Sequence, residues 1–187
     1  MEALLPVFIA VILAEFGGRT QAVGNALAIV YPQHRSSIFA GLGLASLVSL
    51  IVAGLGGAVL ATMIAYDARS LLFGLALIFA GVPMFLSFKR PDIKRFGSPL
   101  ASGVFGFGRV QFGDASQFIV FAVAARSGEP ILAVIGGLLG IFATSSPAIV
   151  MQGDWPAKLP LRPVRMIAAF ILTFAGAYAA VSALKLI

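Results

Sequence analysis

The sequence predicts an all-α membrane protein, with six transmembrane helices in two inverted three-helix repeats. Three observations predict it. The composition is too apolar for water, the chain divides into six long apolar runs, and a polar heptapeptide occurs once in each half.

The composition bounds the problem first. Of 187 residues, 60% are hydrophobic and 11% charged. Soluble domains sit near about 45–50% apolar and about 25% charged. A small fold keeps most of its chain near the surface and cannot hide such an excess. A soluble enzyme, a disordered chain and a nucleic-acid binder are therefore excluded. Cys is absent, so there is no disulfide framework, thiolate metal site or cysteine nucleophile.

Six runs are long enough for membrane helices, which need about 20 mostly apolar residues. They are Leu4 to Val30, Ile38 to Ala65, Leu71 to Phe88, Leu100 to Ala125, Pro130 to Met151 and Pro163 to Leu184. Turn residues separate them at Tyr31-Pro32-Gln33, Ser127-Gly128-Glu129-Pro130 and Gln152-Gly153-Asp154-Trp155-Pro156. The runs are continuous rather than alternating, so they read as helices and not barrel strands. The first run lacks a basic n-region and outlasts a signal h-region, so it is expected to be retained. The chain divides as 1–88 (first three-helix repeat), 89–98 (basic linker) and 99–187 (second repeat).

Charge sets the expected orientation. With six spans, one face carries Arg69, Arg126 and Lys185; the other carries Arg35, Lys89, Arg90, Lys94, Arg95, Lys158, Arg162 and Arg165. The positive-inside rule puts the basic central loop in the cytoplasm and both termini outside. The net charge of +6 is then a topology signal.

The repeat rests on three matches. Glu15-Phe16-Gly17-Gly18-Arg19-Thr20-Gln21 aligns with Gln111-Phe112-Gly113-Asp114-Ala115-Ser116-Gln117. Phe79-Ala80-Gly81 aligns with Phe174-Ala175-Gly176, and Gly54, Ala58 and Ala61-Thr62 align with Gly136, Gly140 and Ala143-Thr144. Three spans per half means the second half enters the membrane from the opposite side, as in many secondary transporters.

Intramembrane charge is costly and marks function. Here it is sparse and concentrated near mid-span, at Glu15 and Arg19 in the first run and at Arg109 and Asp114 in the fourth, beside Gln111. Helical spacing puts Glu15, Gly18 and Gln21 on one stripe and Gln111, Asp114 and Gln117 on another. With the hydroxyls of Thr20 and Ser116 these groups offer only oxygen, which suits hard cations such as Mn²⁺, Ca²⁺ and Mg²⁺. Carboxylates withdrawn from water can also take protons, and competition between ion and proton is a physical basis for antiport. The structural alternative is that Glu15–Arg19 and Asp114–Arg109 are ion pairs tying helices together. Gly54, Gly57, Gly136 and Gly140 read as close-packing positions. Trp155 reads as an interfacial anchor, and His34 as a loop residue.

The repeated motif resembles that of the transmembrane protein 165 / Gdt family of cation–proton exchangers, within the lysine-exporter superfamily. That family carries E-x-G-D-[KR]-[TS] once per half, and the resemblance spans nearly the whole chain. Gly18 stands where the family has Asp, Gln111 where it has Glu, and Ala115 where it has a basic residue. The resemblance implies a divalent cation/proton antiporter that exports metal, Mn²⁺ first and Ca²⁺ second. Glu15, Asp114 and Gln111 would be metal ligands. Gln21, Gln117, Thr20, Ser116 and Gly18 would line the substrate site, and Arg19 and Arg109 would tune its charge. No tightly bound cofactor is implied. The expected partners are lipid, cation and protons, with a homodimer or a heterodimer with a paralogue as the assembly and no nucleic acid. The expected location is a bacterial inner membrane. Two rival readings share the fold: an exporter of another small solute, and a non-transporting paralogue or accessory subunit. An enzyme is not expected, since no nucleophile–His–acid set or phosphate loop is present.

Overall fold

The computed structural model describes residues 2–86, 97–152 and 161–185, in which no strand occurs. Eight α-helices follow in order: α1 Leu4–Glu15, α2 Arg19–Val30, α3 Arg35–Met63, α4 Tyr66–Gly81, α5 Pro99–Gln111, α6 Ala115–Ser127, α7 Pro130–Met151 and α8 Leu161–Ala183. A 3₁₀ turn, Val82–Phe85, extends α4. The basic linker from Lys89 to Arg95 and the segment holding Trp155 and Lys158 lie outside the described residues.

Four of the described helices are long and apolar enough to cross a membrane, or five if α1 and α2, bent by 65° at their junction, count as one span. The protein is therefore an integral, multi-pass membrane protein. The second and fifth predicted runs emerge as the unbroken helices α3 and α7. The first and fourth do not. Each splits into two short helices, α1/α2 and α5/α6, because a glycine in the middle adopts a left-handed conformation: Gly17 at φ 67° and Gly113 at φ 79°. Only glycine reaches that region without a Cβ clash. The preceding Phe16 and Phe112 are extended, with ψ of 122° and 119°.

The splits overturn one expectation. A continuous helix would align Glu15, Gly18 and Gln21 along one face, but the chain turns between them. Gln21 instead reaches back four residues, its Oε1 accepting from the Gly17 N–H at 2.9 Å. Gln117 accepts from the Gly113 N–H in the same way at 2.7 Å.

Packing places small residues inside and large apolar ones outside, as lipid requires. On α3, Ala45, Ser49, Ala53 and Gly57 form a buried stripe, while Leu44, Val48, Val52, Leu55 and Val59 are exposed. α3 packs on α5 and α6, α7 packs on α1 and α2, and α4 pairs with α8. The glycines read as packing positions do that work: Gly57 lies against Phe121 and Ala124, Gly136 against Leu4 and Gly140 against Val11.

The internal contacts also test the repeat alignment. In the α4–α8 pair, Gly81 packs on Ala169 and Thr173, and Gly176 packs on Gly74 and Ile78, so the two Phe-Ala-Gly motifs play equivalent parts. Gln21 Nε2 donates to the Thr144 carbonyl at 2.7 Å, and Gln117 Nε2 donates to the Ser49 carbonyl at 3.3 Å. The counterpart of Thr144 is thus Ser49, not the Thr62 that the sequence alignment paired with it. Stretches rich in Gly, Ala and Leu allow several registers, and the alignment alone took a wrong one.

Candidate functional site

Both breaks bring the same parts together. α1 ends at Glu15 and α5 at Gln111; α2 begins after Gly18 and α6 after Asp114. Helix N-termini carry partial positive charge and C-termini partial negative charge, with free N–H and C=O groups that can meet an ion. Broken helices at membrane depth are tolerated only where protein or a water-filled cavity covers them.

Such a cavity exists. It has a volume of about 880 Å³, and Glu15, Gly18, Arg19, Gly113, Asp114 and Arg165 are among the residues that line it, with the end of α4 from Phe79 to Leu86 forming another wall. Glu15 is 2% exposed. Its carboxylate faces Thr20, Ser116 and Asp114, yet both of its oxygens are buried with no hydrogen-bond partner. The buried Thr20 hydroxyl is also unpartnered. A buried carboxylate in that condition carries the full cost of lost hydration. A cation or a proton arriving from the cavity would offset it.

The other predicted residues divide into three groups. Asp114 sits half-buried at the N-cap of α6, on the cavity wall, and Ser116 is buried two residues further on. Gln111 is 1% exposed; its Nε2 donates to Ser46 Oγ at 2.8 Å and its Oε1 has no partner. Gln21 and Gln117 are holders of the breaks: their amide oxygens cap Gly17 and Gly113 and their amide nitrogens tie α2 to α7 and α6 to α3.

Charge is arranged differently from expectation. Arg19 lines the cavity, but Arg109 is exposed on α5 and is not among the lining residues. Among the described residues neither Glu15 nor Asp114 is in an ion pair with Arg19 or Arg109. The second cavity arginine is one that topology arithmetic had placed among the loop charges. Arg165 donates to the carbonyls of Pro83 at 3.3 Å and Leu86 at 3.0 Å, clamping the end of α4 to α8. Its sequence signal was its position inside the sixth apolar run, two residues after Pro163. Among the described residues no group of three or more His, Cys, Asp or Glu is gathered for a resident metal; the site has two carboxylates.

A family model described as divalent cation/proton antiporter GDT1 matches residues 3–92 and 100–186. No curated protein matches the chain, and no solved structure does.

Proposed function

Because the chain belongs to the GDT1 family of divalent cation/proton antiporters, we propose that it exports a divalent cation from the cytoplasm in exchange for protons, with Mn²⁺ preferred and Ca²⁺ second. The cation is cargo rather than a resident cofactor. The observation that carries this reading is Glu15: a fully buried carboxylate with two unpartnered oxygens, facing Asp114 across the break and bordering a cavity wide enough for a hydrated ion.

In this mechanism Glu15 and Asp114 are the charged ligands, and either ion or protons occupy them. Two cations cannot share one pair of carboxylates without repulsion, so loading of one expels the other. Thr20, Ser116 and Gln111 supply neutral oxygens, and the freed carbonyls at the ends of α1 and α5 add more. Gln21 and Gln117 act as positioning residues that keep both breaks open. Arg19 reduces the cavity's net negative charge and so weakens cation binding, which favours release.

The matching turns at Gly17 and Gly113 and the reciprocal contacts of Gly81 and Gly176 support a six-span fold in two inverted halves. The excess of basic residues at one face supports a cytoplasmic central loop. On that orientation the cavity, bordered by Leu86 and Arg165, opens toward the cytoplasm.

A second reading has one observation in its favour. Two guanidinium groups and two carboxylates line the same cavity, which suits a small zwitterionic solute as well as a bare cation. Liposome reconstitution separates the two. Under an imposed pH gradient, Mn²⁺, Ca²⁺ and Mg²⁺ flux is followed in the wild type, Glu15→Gln and Asp114→Asn. Mn²⁺ flux lowered in both variants is expected, more steeply in Glu15→Gln than in Asp114→Asn. No gradient-driven flux of any of the three ions overturns the cation reading.

A further inference from the structure

The cavity of Glu15 and Asp114 is not alone between its helices. It takes Ala14 and Glu15 from α1, Phe79 and Pro83 from α4, and Asp114 and Phe118 from α6. A second cavity of about 350 Å³ takes Pro6 from α1 and Glu2 from the turn before it, Tyr66 and Phe73 from α4, and Val123 and Arg126 from α6. The same three helices wall both, and each helix meets the two cavities at opposite ends.

Between them each helix contributes about one to two turns. Ala10 on α1, Leu77 on α4 and both Ile119 and Ala122 on α6 are buried and apolar. At 1.5 Å of rise per residue the cavities are separated by about 8–12 Å along the helices. A constriction of this kind excludes water and stops ions by dewetting. On the far side the Arg126 guanidinium lies 5.0 Å from the Phe73 ring centroid, joining α6 to α4, and Tyr66 faces the same Arg126. Such a contact favours closure and is weak enough to break in a transport cycle.

We propose that the second cavity is the far station of the same transport path, where the cation leaves and protons enter, and that the turn holding Ala10, Leu77 and Ala122 is its gate. α4 moves away from α6 to open it. α4 is bound tightly to α8 through Gly74, Gly81 and Gly176, so the two helices move together, as one bundle rocks against another in secondary transporters. Glu2 gives the far station a carboxylate for a departing cation, and Arg126 discourages its return.

This gate rests on the cation-antiport reading, and the test keeps the two apart. The wild type has no Cys, so single cysteines report without background. Phe118→Cys probes the first cavity, Ser127→Cys and Tyr66→Cys probe the second, and Ala122→Cys probes the gate. Each is reacted in sealed vesicles with a membrane-impermeant cationic thiol reagent added to one face at a time. Phe118→Cys is expected to react from one face only, and the two far-station cysteines only from the other. Ala122→Cys is protected at rest and reacts from the far face once Mn²⁺ and a pH gradient drive turnover. Modified Ser127→Cys or Tyr66→Cys loses Mn²⁺ flux by about tenfold or more, a loss of about 1.4 kcal/mol in transition-state terms. Far-station cysteines reached from the same face as Phe118→Cys, or flux unchanged after their modification, overturns the proposal. A wild type with no Mn²⁺ flux but with opposite-face labelling overturns the cation reading and leaves the two-station path standing.

Discussion

The two breaks share a backbone and differ in where the charge sits on it. At the first, a carboxylate precedes the turn and a glycine follows: Glu15, Phe16, Gly17, Gly18. At the second, an amide precedes the turn and a carboxylate follows: Gln111, Phe112, Gly113, Asp114. The turns themselves match, with φ of 67° and 79° at the central glycines and the same backbone bond closing each, from Gly18 N–H to the Glu15 carbonyl and from Asp114 N–H to the Gln111 carbonyl. The scaffold is thus duplicated while the acids are divided between the copies. Together the breaks supply one acid of each kind. Both line the cavity, but Glu15 is 2% exposed and Asp114 only half-buried.

That difference predicts unequal losses. Glu15→Gln should lower Mn²⁺ flux by roughly 100-fold or more, because a ligand with no alternative partner is removed from a buried site. Asp114→Asn should lower it by roughly tenfold, since water in the cavity can take the vacated place. Equal losses in reconstituted vesicles would contradict the assignment of Glu15 as the inner ligand. A relocation sharpens the same comparison. Glu15→Gln combined with Gln111→Glu moves the carboxylate to the matching position of the other break. If the scaffolds are interchangeable, flux recovers to within about tenfold of the wild type; no gain over Glu15→Gln alone would show that they are not.

The remaining effects are on stability. Gln21→Leu removes a buried amide and leaves the Gly17 N–H and the Thr144 carbonyl without it, a cost of about 2–3 kcal/mol. Gln117→Leu acts on an exposed turn with one longer bond, 3.3 Å to Ser49, and should cost about 1 kcal/mol. Denaturation in detergent measures both, and the reverse order would contradict the burial difference. Losses of similar size come from Gly17→Ala and Gly113→Ala. Each forces a Cβ into the left-handed region for about 1–2 kcal/mol. The two losses should agree, and a clear inequality would mean that the turns are held by different forces.

The sequence was most legible where one helix spans the membrane unaided. Pro130 opens α7 and a long apolar run fills it, so its bounds followed from hydropathy. The breaks were less legible. Gly17, Gly18 and Gly113 also suit close packing, and glycine is common in unbroken membrane helices. The distinguishing signal was present as a glycine followed four residues later by glutamine, but Gln21 and Gln117 read as ligands rather than as caps. Glu15 and Asp114 were identifiable because charge is scarce in lipid. Arg165 was obscured by the same logic: near the end of a run, an arginine counts for topology before it counts for a site. Arg109 went the other way, since its sequence distance from Asp114 says nothing of the turn between them.

The crossed packing of the chain has a consequence for its synthesis. The helices that cover Glu15 and α3 come mostly from the second half: α6 supplies Asp114 and Ser116 to Glu15, and α5 and α6 cover α3. A ribosome adding about 5–20 residues per second needs about 5–20 seconds to pass from residue 15 to residue 114. During that interval a short helix ending in a carboxylate lacks its neighbours on α6 and α7, and α3 has a bare stripe of small residues. Insertion and packing are therefore separate events in the life of this chain. A ribosome that stops in the central loop leaves behind four helices built to grip partners that never arrive, an exposed small-residue face that membrane quality control can recognise.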